Sequence, residues 1–167
     1  MNVCIIGEGL TSLALAKNLI NKKINVHIYY KTKIQKKITS RTIGISKNNL
    51  KFFKKEIFKM TKINYWKIKK IEIYSQKIKN ENIFNFNNEK NDLFYMVKNE
   101  RLYDLLKKEV LKSKFIKRIA INKKLNEKNL NKKNYDLIIN SDPNNFIAKK
   151  YFTKKIEKNY FNVAYTA

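Results

Sequence analysis

Six residues near the amino terminus have the composition and spacing of a phosphate-binding turn. The segment Gly7–Ser12 reads GEGLTS and fits the pattern G-x-G-x-x-G, with serine in place of the third glycine. The first glycine permits a tight turn, and the second lets phosphate oxygens approach the backbone because it has no Cβ atom. The residues predicted to bind the pyrophosphate of a dinucleotide are Gly7, Gly9, Leu10, Thr11 and Ser12.

The sequence on both sides of this turn predicts the elements that position it. Val3–Ile6 is an unbroken apolar run, typical of a strand buried on both faces in a parallel sheet. From Leu10 onward apolar residues recur at helical spacing, so a helix begins where its N–H groups and positive dipole end can face an anion. Alternating apolar residues from Ile24 to Tyr30 predict a second strand. This order of strand, turn, helix and strand is the context that the otherwise weak glycine pattern requires.

The end of the second predicted strand lacks the acidic residue that binds the adenosine ribose in this fold. That position falls on Tyr30, and the next acidic residue along the chain is Glu56. A tyrosine hydroxyl can make a hydrogen bond to ribose, but it does not replace a carboxylate. Lys31 would suit a phosphate, so a phosphorylated ribose, as in NADP, stays open beside FAD.

The net charge of +25 raises the question of a nucleic-acid partner. Lysines run from Lys17 to Lys158, mostly singly and in pairs, among many Asn and Ile residues, and they do not gather in one segment. This distribution is typical of a general compositional bias, so we predict no specific nucleic-acid partner. Non-specific association with polyanions and peripheral association with an acidic membrane surface are compatible with it.

The remaining composition predicts one folded, cytoplasmic domain over residues 1–167. Hydrophobic residues make up 43% of the chain, which is enough for a core. No apolar run reaches the roughly 20 residues of a membrane span, and the amino terminus lacks the basic start of a signal peptide. One cysteine and one histidine, Cys4 and His27, offer no disulfide framework and no plausible zinc site.

The rest of the chain predicts further strands and helices, with no internal repeat. Lys47–Phe58 reads as a helix with Ser46 as its N-cap, and a small antiparallel sheet is predicted between Ile68 and Val97. A second long helix is predicted over residues 99–112, and strands over 115–121, 135–139 and 159–166.

Three later segments are similar to parts of known flavoproteins that begin in the same way. Residues 41–46, RTIGIS, with Leu50 after them, match an Arg-x-Ile-x-Leu-Ser segment before a helix. Residues 95–102, YMVKNERL, match a strand that ends in Asn-Arg before a helix, with the arginine one place late. Residues 135–143, YDLIINSDP, match a strand that leads into Ala-Asp-Gly, with proline in the place of the glycine.

Together with the glycine turn, these segments resemble the FAD-dependent aromatic-ring monooxygenases, particularly the hydroxylases of ubiquinone biosynthesis. The resemblance covers nearly the whole chain. It implies an α/β fold, a Rossmann-like FAD/NAD(P)-binding domain with a parallel sheet and a small antiparallel β insertion. It also implies that Arg41 and Arg101 lie against FAD, and that Asp142 helps to hold the flavin side of the site.

The resemblance further implies a chemistry. Full members of the family bind FAD, reduce it with NADH or NADPH and hydroxylate an electron-rich ring, here an aromatic quinone precursor. They continue for about as long again, so we expect this chain to be the FAD-binding portion, either a fragment or a shortened, diverged copy, and not to be active alone. The alternative is a non-catalytic, diverged Rossmann-like remnant that acts as a basic binding module.

Overall fold

Strand, helix and strand follow one another at the amino terminus, and strands predominate in the middle of the described residues. The structure is a computed structural model that describes residues 1–32, 41–58, 65–75, 81–87, 92–121, 130 and 135–151. In chain order the elements are β1 (Asn2–Ile6), α1 (Leu10–Asn21), β2 (Asn25–Lys31), β3 (Thr42–Ser46), α2 (Lys47–Phe52), a π-helical turn (Phe53–Ile57), β4 (Trp66–Ile68), β5 (Lys70–Ser75), β6 (Glu81–Asn87), β7 (Phe94–Lys98), α3 (Asn99–Leu111), β8 (Ile116–Ile121), β9 (Leu137–Asn140) and α4 (Phe146–Tyr151).

A four-stranded parallel sheet in the order β8-β2-β1-β9 carries the amino-terminal part of the fold. The pairing of β1 with β2 aligns Val3 with Val26, and its pairing with β9 aligns Val3 with Leu137. Val3–Ile6 is completely or almost completely buried, because β1 has a strand on each side and side chains packed on both faces. This central position explains the unbroken apolar run. The predicted unit of strand, helix and strand is therefore confirmed.

Helices α1 and α3 pack against each other. Leu13, Ala16 and Ile20 of α1 and Leu102, Leu106 and Val110 of α3 are buried in the same core as Val3 and Ile28 of the sheet. The small side chain of Ala16, fully buried, lets the helix lie close to its neighbours. Because the first turn of α1 follows directly after β1, this packing places the start of the helix at the carboxyl end of the central strand.

The middle of the chain forms two antiparallel sheets. One has the order β3-β7-β4, and the other is the separate hairpin of β5 and β6. The sequence predicts a single small sheet here and does not mark β3 as a strand. Antiparallel pairing with β7 aligns Ile43 with Val97 and Ile45 with Tyr95, so β3 owes its conformation to a partner about fifty residues away.

Helix α2 begins where the sequence predicts but is shorter than predicted, whereas α3 agrees with its prediction to within one residue. The side chain of Ser46 caps α2 by accepting a hydrogen bond from the N–H of Asn49 at 3.2 Å, as predicted. The α-helix ends at Phe52 and continues as the π-helical turn to Ile57. The longest helices described, α1 and α3, have 12 and 13 residues, and none in the described ranges has the length and hydropathy of a membrane span. The strand predicted over 159–166 lies outside the described residues.

Candidate functional site

The turn after β1 requires glycine at its first position. Gly7 has φ +110°, and its N–H donates a hydrogen bond to the carbonyl of Tyr29 at 2.9 Å. A Cβ atom at this position would lie 2.7 Å from Oγ of Ser141, which follows β9. Both the backbone conformation and the space therefore exclude a side chain.

The second glycine faces open space at the start of α1. Among the residues that the structure describes, no heavy atom would lie within 4 Å of a Cβ atom on Gly9. Gly9 is the N-cap of α1, no side chain of the described residues caps the helix, and its first turn contains no acidic residue. The first hydrogen bond of the helix runs from the N–H of Leu13 to the carbonyl of Gly9, so the amides of Leu10, Thr11 and Ser12 precede it. These amides and the helix dipole are suited to an anion such as a pyrophosphate.

Serine at the third glycine position is accommodated by a hydrogen-bond partner, Ser141, directly after β9. Ser12 is buried, and its hydroxyl contacts the hydroxyl of Ser141. Oγ of Ser141 donates its proton to the carbonyl of Ile6 at 2.9 Å, so Ser12 is the donor in the contact between the two serines. The Ser12 hydroxyl is thus used in a hydrogen bond within the protein. The group of Ser12 that can bind a phosphate is its backbone N–H.

Two other predicted site residues, Lys31 and Asp142, form an ion pair. Nζ of Lys31 lies 2.6 Å from Oδ2 of Asp142, so the pair links the ends of β2 and β9, the two neighbours of β1. The N–H of Asn144 donates to the other carboxylate oxygen at 2.9 Å. Burial raises the pKa of Asp142, but the bond from Lys31, then the bond from Asn144 and the charge of Lys31, lower it below its ordinary value. Asp142 is therefore ionised at neutral pH, and both of its carboxylate oxygens already have a partner within the protein.

Tyr30 lies at the predicted ribose position and is covered by an arginine that the sequence analysis missed. Cζ of Arg118, on β8, lies 4.1 Å from the centroid of the Tyr30 ring. The same guanidinium donates to both oxygens of Glu8, through Nε to Oε1 and through a terminal nitrogen to Oε2 at 2.8 Å. Lys107 and the hydroxyl of Tyr103 also donate to Oε2, at 3.4 and 3.3 Å. The signal in the sequence was a charged residue between the two glycines of the turn, together with a tyrosine and a lysine four residues apart on one helix.

Arg41 and Arg101, predicted to lie against the cofactor, line a cleft that is separate from the glycine turn. The N–H of Asn99, at the start of α3, donates to the carbonyl of Arg41 at 2.9 Å. Both arginines line a cleft of about 590 Å³, the arginine cleft, whose lining is Arg41, Thr42, Lys98, Glu100, Arg101, Asp104, Leu105 and Lys108. Four cations and two carboxylates in this lining give it a positive balance, which suits a phosphorylated ligand. The residues of the glycine turn do not line the arginine cleft.

No family model and no curated protein matches this chain. Solved structures do resemble it. PqsL from Pseudomonas aeruginosa, solved in complex with 2-aminobenzoylacetate, is 12% identical with a TM-score of 0.67, and the match covers 95% of this chain and 47% of PqsL. A second structure of PqsL, described as a probable FAD-dependent monooxygenase, matches with a TM-score of 0.65 at 10% identity.

Two further solved structures resemble a smaller part of the chain. p-Nitrophenol 4-monooxygenase PnpA from Pseudomonas putida DLL-E4 is 9% identical with a TM-score of 0.57, over 71% of this chain and 31% of PnpA. A geranylgeranyl bacteriochlorophyll reductase-like protein from Thermoplasma acidophilum is 15% identical with a TM-score of 0.55, over 71% and 29%. The chain therefore spans less than half the length of these neighbours. At such identities the likeness is one of fold: the chain shares the Rossmann-like α/β fold of these neighbours, with a parallel sheet and small antiparallel sheets.

Proposed function

We propose that this chain binds FAD and is the FAD-binding portion of a flavin-dependent monooxygenase that hydroxylates an aromatic ring. The observation that carries the proposal is the glycine turn. Gly7 is in a conformation that only glycine adopts easily, and both glycines precede a helix at the carboxyl end of the central strand. In the part of the chain that the structure describes, Gly9 leaves open space and no side chain caps this helix. This is the arrangement in which the dinucleotide-binding fold receives a pyrophosphate.

The residues of this chain would divide the work of binding. Backbone amides at the start of α1 would donate to the pyrophosphate oxygens, and the positive arginine cleft would attract a phosphorylated ligand through Arg41 and Arg101. When bound, FAD supplies the transfer of electrons from NADH or NADPH to dioxygen. Asp142, which stays ionised beside Lys31, would hold the loop after β9 in place next to the turn.

The finer assignment follows the resemblance in the sequence. We propose a cytoplasmic enzyme of ubiquinone biosynthesis whose substrate is an aromatic quinone precursor. Because the chain spans 47% of PqsL, ring binding and hydroxylation are proposed for the whole protein rather than for these residues alone.

Substitution of Gly9 tests FAD binding most directly. The variant Gly9→Ala should fold normally, because the new methyl group meets no atom of the described residues and φ at this position is −85°. The methyl group would occupy the approach of the phosphates, so the dissociation constant for FAD should rise by about tenfold or more. Quenching of flavin fluorescence measures the affinity, and the melting temperature without ligand is the control for folding.

Absence of FAD binding by the unmodified chain, in fluorescence and in thermal stabilisation, would contradict the proposal. Equal affinities of the two proteins for FAD would show that the ligand does not approach the glycine turn.

A further inference from the structure

We infer that Glu8 determines which adenosine ribose the glycine turn accepts, favouring an unmodified ribose over one that carries a 2′-phosphate. The inference rests on the proposed function and adds a specificity-determining residue to it. It also decides between the two dinucleotide classes that Tyr30 and Lys31 leave open in the sequence.

Glu8 is held in a fixed place by the turn itself and by its neighbours. It stands between the two glycines, so the backbone that would bind the pyrophosphate also carries this carboxylate. The side chain is only 10% exposed. Both of its oxygens accept hydrogen bonds, from Arg118 on β8 and from Tyr103 and Lys107 on α3. A carboxylate held from two elements cannot swing away at little cost when a ligand arrives.

Arg118 connects this carboxylate with the place where the fold binds ribose. Its guanidinium lies over the ring of Tyr30, near the end of β2, while its nitrogens reach Glu8. In the dinucleotide-binding fold the ribose hydroxyls meet the residue at this end of the second strand. The Arg118 guanidinium thus lies between the Glu8 carboxylate and Tyr30, which occupies the position where this fold usually has an acidic residue.

The pairing decides what Arg118 can do for a ligand. A guanidinium binds a phosphate best with two parallel N–H donors, and Arg118 directs two such donors at Glu8. Lys107, 3.4 Å from the same carboxylate, is engaged as well. A 2′-phosphate would have to displace Glu8 from these cations and would be repelled by its charge. Ribose hydroxyls, which are neutral, meet neither obstacle.

A further cation at this end of the sheet, Lys31, is also engaged. Lys31 follows Tyr30 and would suit a phosphate by sequence, but its Nζ lies 2.6 Å from Oδ2 of Asp142. Arg118 and Lys31 therefore both have a carboxylate partner. This is the pattern expected of a site built for an uncharged ribose.

A matched pair of ligands tests the inference. ADP-ribose and 2′-phospho-ADP-ribose differ by the 2′-phosphate alone, and their affinities can be measured by isothermal titration calorimetry with the full chain. We expect the unmodified protein to bind ADP-ribose about tenfold or more tightly than the phosphorylated ligand. In Glu8→Gln, which keeps the shape and removes the charge, this preference should fall by about tenfold or reverse.

Glu109→Gln is the control, because Glu109 on α3 also pairs with two lysines, Lys112 at 2.6 Å and Lys17 at 3.9 Å. Its ligand preference should equal that of the unmodified protein. A Glu8→Gln protein that is less stable but keeps the original preference would give Glu8 a purely structural role and overturn the inference. Tighter or equal binding of 2′-phospho-ADP-ribose by the unmodified protein overturns it without any variant. If the unmodified protein binds neither ADP-ribose nor FAD, the proposed function fails together with the inference.

Discussion

At the scale of the residue, the turn after β1 depends on the absence of one side chain. Gly7→Ala would place a methyl group 2.7 Å from Oγ of Ser141 and would keep an alanine at φ +110°. Overpacking and the unfavourable φ together should lower the free energy of unfolding by about 2–4 kcal/mol. Urea denaturation followed by circular dichroism measures this loss.

A second substitution separates the two causes. Ser141→Ala removes the hydroxyl that the new methyl group would meet but also loses the hydrogen bonds of that hydroxyl, so it is the reference for the double variant. Gly7→Ala should cost less stability in the Ser141→Ala background than in the unmodified protein, and the cost that remains is the part due to φ. An unchanged free energy of unfolding in Gly7→Ala would mean that the turn adopts another conformation than the one described.

At the scale of the element, α3 serves both parts of the candidate site. Its first residues line the arginine cleft, and Tyr103 and Lys107, one turn apart, donate to Glu8. The helix is fixed by its buried face against α1. Displacement of α3 should therefore weaken ligand binding as well as stability.

The core leucines of α3 offer a test with an internal control. Leu106 is fully buried and Leu111, on the same helix, is 47% exposed. Leu106→Ala should lower the free energy of unfolding by about 2–5 kcal/mol, because it leaves a cavity in the core. Leu111→Ala should change it by less than about 1 kcal/mol, since the surface it removes is largely in contact with water. Chemical denaturation of both variants measures the difference, and similar losses would place α3 differently from the structure described.

At the scale of the whole molecule, the charge of +25 is the dominant property. It should draw the chain to acidic membrane surfaces without any specific site, by attraction that falls within a Debye length. We expect binding to vesicles containing phosphatidylserine, and loss of most of it when salt rises from about 0.05 M to about 0.3 M. Co-sedimentation measures the bound fraction, and vesicles of phosphatidylcholine alone are the control. Binding that persists at the higher salt would indicate a specific or apolar contact instead.

The sequence by itself determined the order of strand, turn, helix and strand at the amino terminus, including the glycine turn. An apolar run, two glycines and a helical repeat are local signals, because strand burial, a positive φ and helix amphipathicity are each encoded within a few residues. Ser46 as a helix cap is a signal of the same kind, and it is confirmed. Arg41 and Arg101 were predicted by resemblance to lie against FAD, which stays a prediction, and the structure places both in one cleft.

The tertiary structure alone decided which side chains meet around the turn. Glu8 and Arg118 are 110 residues apart in the chain, and Ser12 and Ser141 are 129 apart. Lys31 and Asp142 meet because β2 and β9 both flank β1. Such pairs depend on the order of strands in a parallel sheet, where neighbours in space are far apart in sequence. No local sequence pattern can therefore predict them. For the same reason the pairing of β3 with β7, and the separation of the hairpin from that sheet, appeared only in the folded chain.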